Sequence, residues 1–155
     1  MTLELKIIPP VQFIICASLM LVLSYYLPQL SFTLPRSTVV IIMLMLLAST
    51  FSILALYNFR KHQTTHHPHT PEKTSTVVNT GVYAHSRNPM YLSLALILTA
   101  LALYLSNFSC FSVIVFFIWY NTRFQIVPEE KVLEKKFPKE YQAYKEKVRR
   151  LLFRF

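Results

Sequence analysis

The chain has 155 residues, 54% of them hydrophobic, a net charge of +9 and a mean hydropathy of +0.40. That balance excludes an ordinary soluble basic domain and fits a small membrane protein, because the charges gather at the ends of apolar blocks. The single glycine, Gly81, excludes sites built on glycine-rich turns, both the dinucleotide GxGxxG fingerprint and the P-loop.

Four apolar blocks follow in chain order: Ile7 to Leu27, Thr38 to Tyr57, Met90 to Leu105 and Phe108 to Tyr120, none containing Lys, Arg, Asp or Glu. A helix needs about 20 apolar residues to cross a hydrocarbon core, so the first two suffice. The last two are short and separated only by Ser106 and Asn107, which predicts a tight helical hairpin, with a re-entrant hairpin as the alternative. Lys6 and the pair Pro9 and Pro10 precede the first block and no small-residue cleavage motif follows it, so a retained helix is expected rather than a signal peptide. Every Lys and Arg except Arg36 falls in the termini, in the loop from Asn58 to Pro89, or in the tail from Asn121 onward. The positive-inside rule places all of those segments in the cytoplasm. The expected fold class is an all-α membrane protein of about four transmembrane helices in one domain, residues 1–155, completed by cytoplasmic amphipathic helices over 128–152.

The tail supports that last element. From Pro128 the apolar positions Val132, Leu133, Phe137, Tyr141, Tyr144, Val148, Leu151 and Leu152 step by three or four between Lys, Glu and Arg, the period of an amphipathic helix. Pro138 lacks the donor that a helix interior needs, which predicts a break at Phe137 and Pro138. The basic face suits an anionic leaflet, and the same helix could fold over the membrane helix ends as a lid.

Cys16 and Cys110 lie inside apolar blocks without CxxC spacing and read as small buried residues. His62, His66, His67 and His69 lie in a proline-interrupted Thr/His-rich loop without ligand spacing or thiolates, so no metal site is expected. Glu129 and Glu130 follow Pro128, where negative charge suits the start of a helix. Arg87 and Arg123 cap apolar blocks, the place of an orientation anchor whose stem reaches the interface. The chain contains no Asp, no HExxH and no serine in a nucleophile-elbow context, so hydrolysis by a triad or by zinc has no visible parts. A reaction that needs only the alignment of two bound reactants survives these absences.

The segment Asn79 to Tyr91, with its lone glycine and Arg87 laid against an apolar run, is the first candidate site. The run from Thr80 to Tyr91, the apolar hairpin after it, and the run from Pro128 to Arg150 together resemble the C-terminal half of an integral-membrane methyltransferase group. That group comprises the isoprenylcysteine carboxyl methyltransferases and phospholipid methyltransferases, and the resemblance spans about His69 to Arg150. It implies S-adenosylmethionine as methyl donor, bound at the cytoplasmic helix ends under the C-terminal helix. By the same resemblance His69, Thr76, Val77, Val78, Asn79 and Tyr83 contact the cofactor. Arg87, Asn88, Pro89 and Met90 match the group's Arg-His-Pro-x motif, with Asn88 in place of the histidine. Glu129 matches the first glutamate of a Glu-Glu pair, and Arg87 and Glu129 are the expected catalytic residues. Gln125, where eukaryotic relatives carry an arginine, and Arg123 are the expected substrate contacts.

The chemistry of those residue types agrees. Arg87 suits a carboxylate, Glu129 an ammonium or ribose, and Tyr83 with the Val77 to Val78 backbone an adenine. Methyl transfer to a carboxylate needs alignment and dehydration more than acid or base help. An amine acceptor must first lose a proton, for which Glu129, Glu130 and His85 are the nearest bases. The acceptor is membrane-embedded or lipophilic, whether a prenylated cysteine, a lipid amine, an isoprenoid or a small lipophilic molecule. Two other readings stand beside this one: a sterol-reductase-like enzyme using NADPH, and a non-enzymatic membrane-surface adaptor working through its basic tail.

Overall fold

The computed structural model describes residues 8–33, 38–61 and 76–151. Arg36 and the histidine run, His69 included, lie outside the described residues. The described residues form six α-helices: α1 Pro9–Tyr26, α2 Thr38–Lys61, α3 Pro89–Leu105, α4 Ser109–Asn121, α5 Val127–Lys136 and α6 Pro138–Lys147. Among the described residues there is no strand, only one isolated bridge between Ser31 and Asn107. Three stretches among the described residues are long and apolar enough to cross a membrane: α1, α2, and the continuous helix from Ser109 to Lys136, while α3 is a shorter apolar helix.

Proline sets the starts. Pro9 and Pro10, Pro89 and Pro138 occupy the first turns of α1, α3 and α6, where no N–H is required and the fixed φ suits a helix. α3 ends on Ser106, whose φ of 50° is left-handed, and the chain reverses at once into α4. Asn107 at this tip is fully buried. Its Nδ2 donates to the Leu27 carbonyl at 2.9 Å, and its Oδ1 accepts from the Ser109 N–H at 3.0 Å. One side chain thus joins the end of α1 to the α3–α4 turn. Asn107→Leu, which removes those bonds and leaves the Leu27 carbonyl without its donor, should lower stability by about 2 kcal/mol. Thermal unfolding of the detergent-solubilised variant measures the loss.

Packing centres on α3, which touches α1, α2 and α4. Lipid is as apolar as a leucine side chain, so helices in a bilayer associate through close packing and polar contacts more than through apolar burial. The α2–α3 seam follows that logic, with Ala48 and Ala55 fully buried on α2 and Ser52 Oγ between them donating to Ser93 Oγ at 2.8 Å. On the other side of α3, Leu98 and Ala102 pack with Cys16 and Met20 of α1 and with Cys110 and Phe117 of α4. Both cysteines are free and serve as core atoms. The outer face of α2 leaves Val39, Met43, Leu46 and Ile53 exposed, as a helix facing hydrocarbon requires.

Two features differ from what the sequence pattern suggests. α4 does not end at the first charge. It continues through a π-helical turn, Thr122–Ile126, straight into α5, so Pro128 sits inside a helix of 28 residues. The wider turn just before Pro128 is where the helix absorbs the missing N–H and the bulk of the ring. The amphipathic tail also stops early, since α6 ends at Lys147 and Val148 is extended, with φ −118° and ψ 135°. Residues 148–151 form a short strap. Between α5 and α6, Phe137 carries the break, and its N–H still reaches the Leu133 carbonyl at 2.8 Å.

Candidate functional site

The α3–α4 hairpin brings the start of α3 and the continuation of α4 to the same end of the bundle, and the candidate site is built there. Leading into it, Val77 packs with α6 while its neighbour Val78 packs with Ala55 of α2, the alternation of an extended backbone. Gly81 then turns the chain with φ +61°. A Cβ added there would lie 2.5 Å from Asn58 Nδ2, so the close approach that needs glycine is to the buried amide at the end of α2. Gly81→Ala should therefore destabilise by more than the roughly 1–2 kcal/mol of a left-handed alanine. Adding Asn58→Ala removes the clash, and thermal unfolding of both variants should show the double substitution recovering part of the loss.

The turn Gly81–Ala84 is held from the tail. Tyr144 Oη donates to the Tyr83 carbonyl at 2.7 Å. Burial pushes the Tyr83 and Tyr144 phenols well above the ordinary tyrosine range, so Tyr144 stays a neutral donor. The strap continues this docking. The Arg87 N–H donates to the Arg149 carbonyl at 2.9 Å, and Asn88 Nδ2 donates to the Arg150 carbonyl at 3.0 Å.

At the centre stands Glu130, 5% exposed. It accepts from Arg87 Nη2 at 3.2 Å and from Arg150 Nε and Nη2 at 3.1 and 2.6 Å. The hydrogen bond to Glu130 holds the Arg150 guanidinium pKa above its ordinary value. Glu129, one residue earlier, faces elsewhere and accepts from Tyr91 Oη at 2.7 Å. The Arg87 side chain is 8% exposed, and its Nε and Nη1 have no hydrogen-bond partner. A buried guanidinium that is half satisfied is costly unless something else completes it.

Arg87 lines a cavity of about 890 Å³ between α4 and the end of the tail. One wall is apolar, with Val115, Ile118 and Trp119 of α4, and the other carries Lys145, Lys147, Arg149 and Arg150. Arg123, from the π turn, stands between them.

The expected site residues divide accordingly. Arg87 and Arg123 reach the cavity wall. Gln125 is completely buried in the π turn, Tyr83 is buried in the α2 contact and Met90 packs against it. Asn88 is engaged by the strap, Pro89 is the buried first residue of α3, and Glu129 is partly exposed beside Tyr91. Thr76 is half-buried and Asn79 exposed.

Four contributors escaped the sequence reading in these roles: Glu130 as the partner of Arg87, Tyr91, and the strap residues Arg149 and Arg150. For Glu130 the spacing gave no distinguishing signal, because Glu129 and Glu130 stand equally at three and four residues from Ile126 and Leu133.

Residues 37–140 match the family model described as phospholipid methyltransferase. An uncharacterized protein of Haemophilus influenzae (strain ATCC 51907 / DSM 11121 / KW20 / Rd) is 51% identical over 63 residues, which is 100% of that protein and 41% of this chain. No solved structure matches.

Proposed function

This chain belongs to the phospholipid methyltransferase family, an integral-membrane methyltransferase group, and from that premise we propose that it transfers a methyl group from S-adenosylmethionine to a lipid-like acceptor. The proposed site is the end of the bundle where residues 76–91 meet residues 128–151. The observation that carries the proposal is the Arg87 guanidinium, held by Glu130 at one edge and unpartnered at Nε and Nη1, beside a cavity open to the apolar face of α4.

The residues fit the donor. It carries a carboxylate, for which the cavity-lining Arg87 is the complementary cation. When bound, the donor supplies a methyl group on a sulfonium, electrophilic enough to need no activation by the protein. The work left to the chain is positional. Glu130 and the strap fix Arg87, α6 covers the Gly81–Ala84 turn, and the apolar wall of α4 keeps water from the acceptor. For an amine acceptor, Glu129 is the carboxylate in reach of solvent that can take the proton, and Tyr91 Oη holds it in place. The basic residues around the site support a cytoplasmic placement of this end of the bundle, where a soluble donor is supplied. Val115 and Trp119, 67% and 55% exposed, leave a lateral entry from the bilayer.

Calorimetric titration of the purified protein in nanodiscs with S-adenosylmethionine tests the reading. Saturable binding of one donor per chain is expected. No binding to folded protein, or tighter binding of NADPH at the same site, would remove it.

A further inference from the structure

We infer that Asn88 is a positioning residue of the donor site, holding the strap across Arg87 instead of touching a reactant; on the methyl-transfer reading, on which its role rests, it sets how tightly the donor binds. The start of α3 carries the first observation. Asn88 is the N-cap of that helix, a place where asparagine is favoured because its side-chain oxygen accepts from the unpaired N–H groups of the first turn. Asn88 makes no such bond. Its side chain is turned to the tail, where Nδ2 donates to the Arg150 carbonyl at 3.0 Å. A favourable local bond is given up for a contact 62 residues away in the chain.

The contacts around Asn88 close a ring. Ser86, fully buried, accepts the Asn88 N–H at 3.2 Å through its Oγ and fixes the turn that aims the amide. The Arg87 N–H donates to the Arg149 carbonyl at 2.9 Å, so two adjacent residues of one segment grip two adjacent carbonyls of the other. From the strap the Arg150 guanidinium returns to Glu130, and Glu130 holds Arg87 Nη2. Arg87 is thus fixed by its own neighbour, by way of the strap. Every residue from Lys145 to Leu151 lines the cavity, so the segment that Asn88 holds is at the same time the wall opposite α4. A guanidinium meets a carboxylate edge to edge only when its plane is set beforehand, and release of the strap would leave Arg87 its charge without that alignment.

Position 88 is where the Arg-His-Pro-x motif carries a histidine, and that residue supplies the control. An imidazole Nδ1 stands as many bonds from the backbone as the amide Nδ2. Asn88→His therefore keeps a donor at the same reach, while Asn88→Ala removes it.

Two measurements on the full-length protein in nanodiscs test the inference: calorimetric titration with S-adenosylmethionine, and hydrogen exchange of the Arg87 amide, whose bond to the Arg149 carbonyl reports the docked strap. Asn88→Ala should weaken donor binding about 2- to 10-fold, the worth of one neutral hydrogen bond, and speed that exchange by a similar factor. Asn88→His should recover most of both losses. Weaker binding with unchanged exchange would place Asn88 on the donor itself, and faster exchange with unchanged binding would confine it to the fold. Either result overturns the inference, as does an Asn88→His protein that recovers neither loss. Wild-type protein that binds no donor removes the methyl-transfer reading and the positioning role with it. The hold on the strap is then judged by exchange alone, upheld if Asn88→Ala speeds it and overturned if it does not.

Discussion

Glu130→Gln should cost about 3–5 kcal/mol of stability, the largest effect expected of any single substitution at the site. The carboxylate is buried between Arg87 and Arg150, and Arg87 is itself 8% exposed with two nitrogens already lacking partners. Removing the anion leaves a buried cation with nothing to compensate it, and the loss is a large share of the roughly 5–15 kcal/mol that holds an ordinary domain together. Arg150→Gln makes the contrast. Its side chain is 35% exposed and Glu130 keeps Arg87, so the loss should stay near 1 kcal/mol. Thermal unfolding followed by Trp119 fluorescence measures both. Trypsin supplies a local readout, because the strap contains Arg149 and Arg150 and should be cut faster once Glu130 no longer holds it. Equal melting of Glu130→Gln and wild type would mean that the strap is secured elsewhere.

Arg87 separates folding from binding. Arg87→Lys keeps a positive charge for Glu130, so the tail should stay docked. A lysine cannot supply the two further N–H groups that Nε and Nη1 offer. Donor affinity should then fall by the worth of one charge-assisted hydrogen bond, about 1.5–3 kcal/mol, or roughly 10- to 100-fold. Arg87→Ala should lose that affinity and part of the stability together. Calorimetry and unfolding on the same preparations distinguish the cases. Arg87→Lys with unchanged donor affinity would return Arg87 to a purely structural role.

Much of the fold was legible because lipid imposes a simple grammar. Blocks without charge became α1 to α4, Ser106 and Asn107 became the hairpin tip, and Pro138 opened α6. Where the fold departs from the pattern, tertiary packing overrides a local signal. Arg123 and Pro128 look like the end of a membrane helix, yet the π turn carries the helix past both. Val148 and Leu151 fit a helical period and also fit an extended strap that buries them, and hydrogen bonds from Arg87 and Asn88 select the strap. Residues 76–91 and 128–151 meet where Arg87 pairs with Glu130, while Glu129 accepts from Tyr91. A lone glycine at Gly81 implies a point of close approach, and only the fold identifies the neighbour as Asn58. Tyr83 shows the opposite limit, since a tyrosine in a polar turn looks available to a ligand and here lies against α2 with its carbonyl taken by Tyr144.

The proposed transfer runs from a donor beside Arg87 to a lipid-like acceptor. Its most direct test is to incubate the protein in nanodiscs of mixed lipid composition with methyl-labelled S-adenosylmethionine and extract the lipids. Label in a lipid fraction with the wild-type protein, reduced at least tenfold with folded Arg87→Lys at subsaturating donor, is the predicted result. Folded wild-type protein that binds the donor and leaves every lipid fraction unlabelled would contradict it.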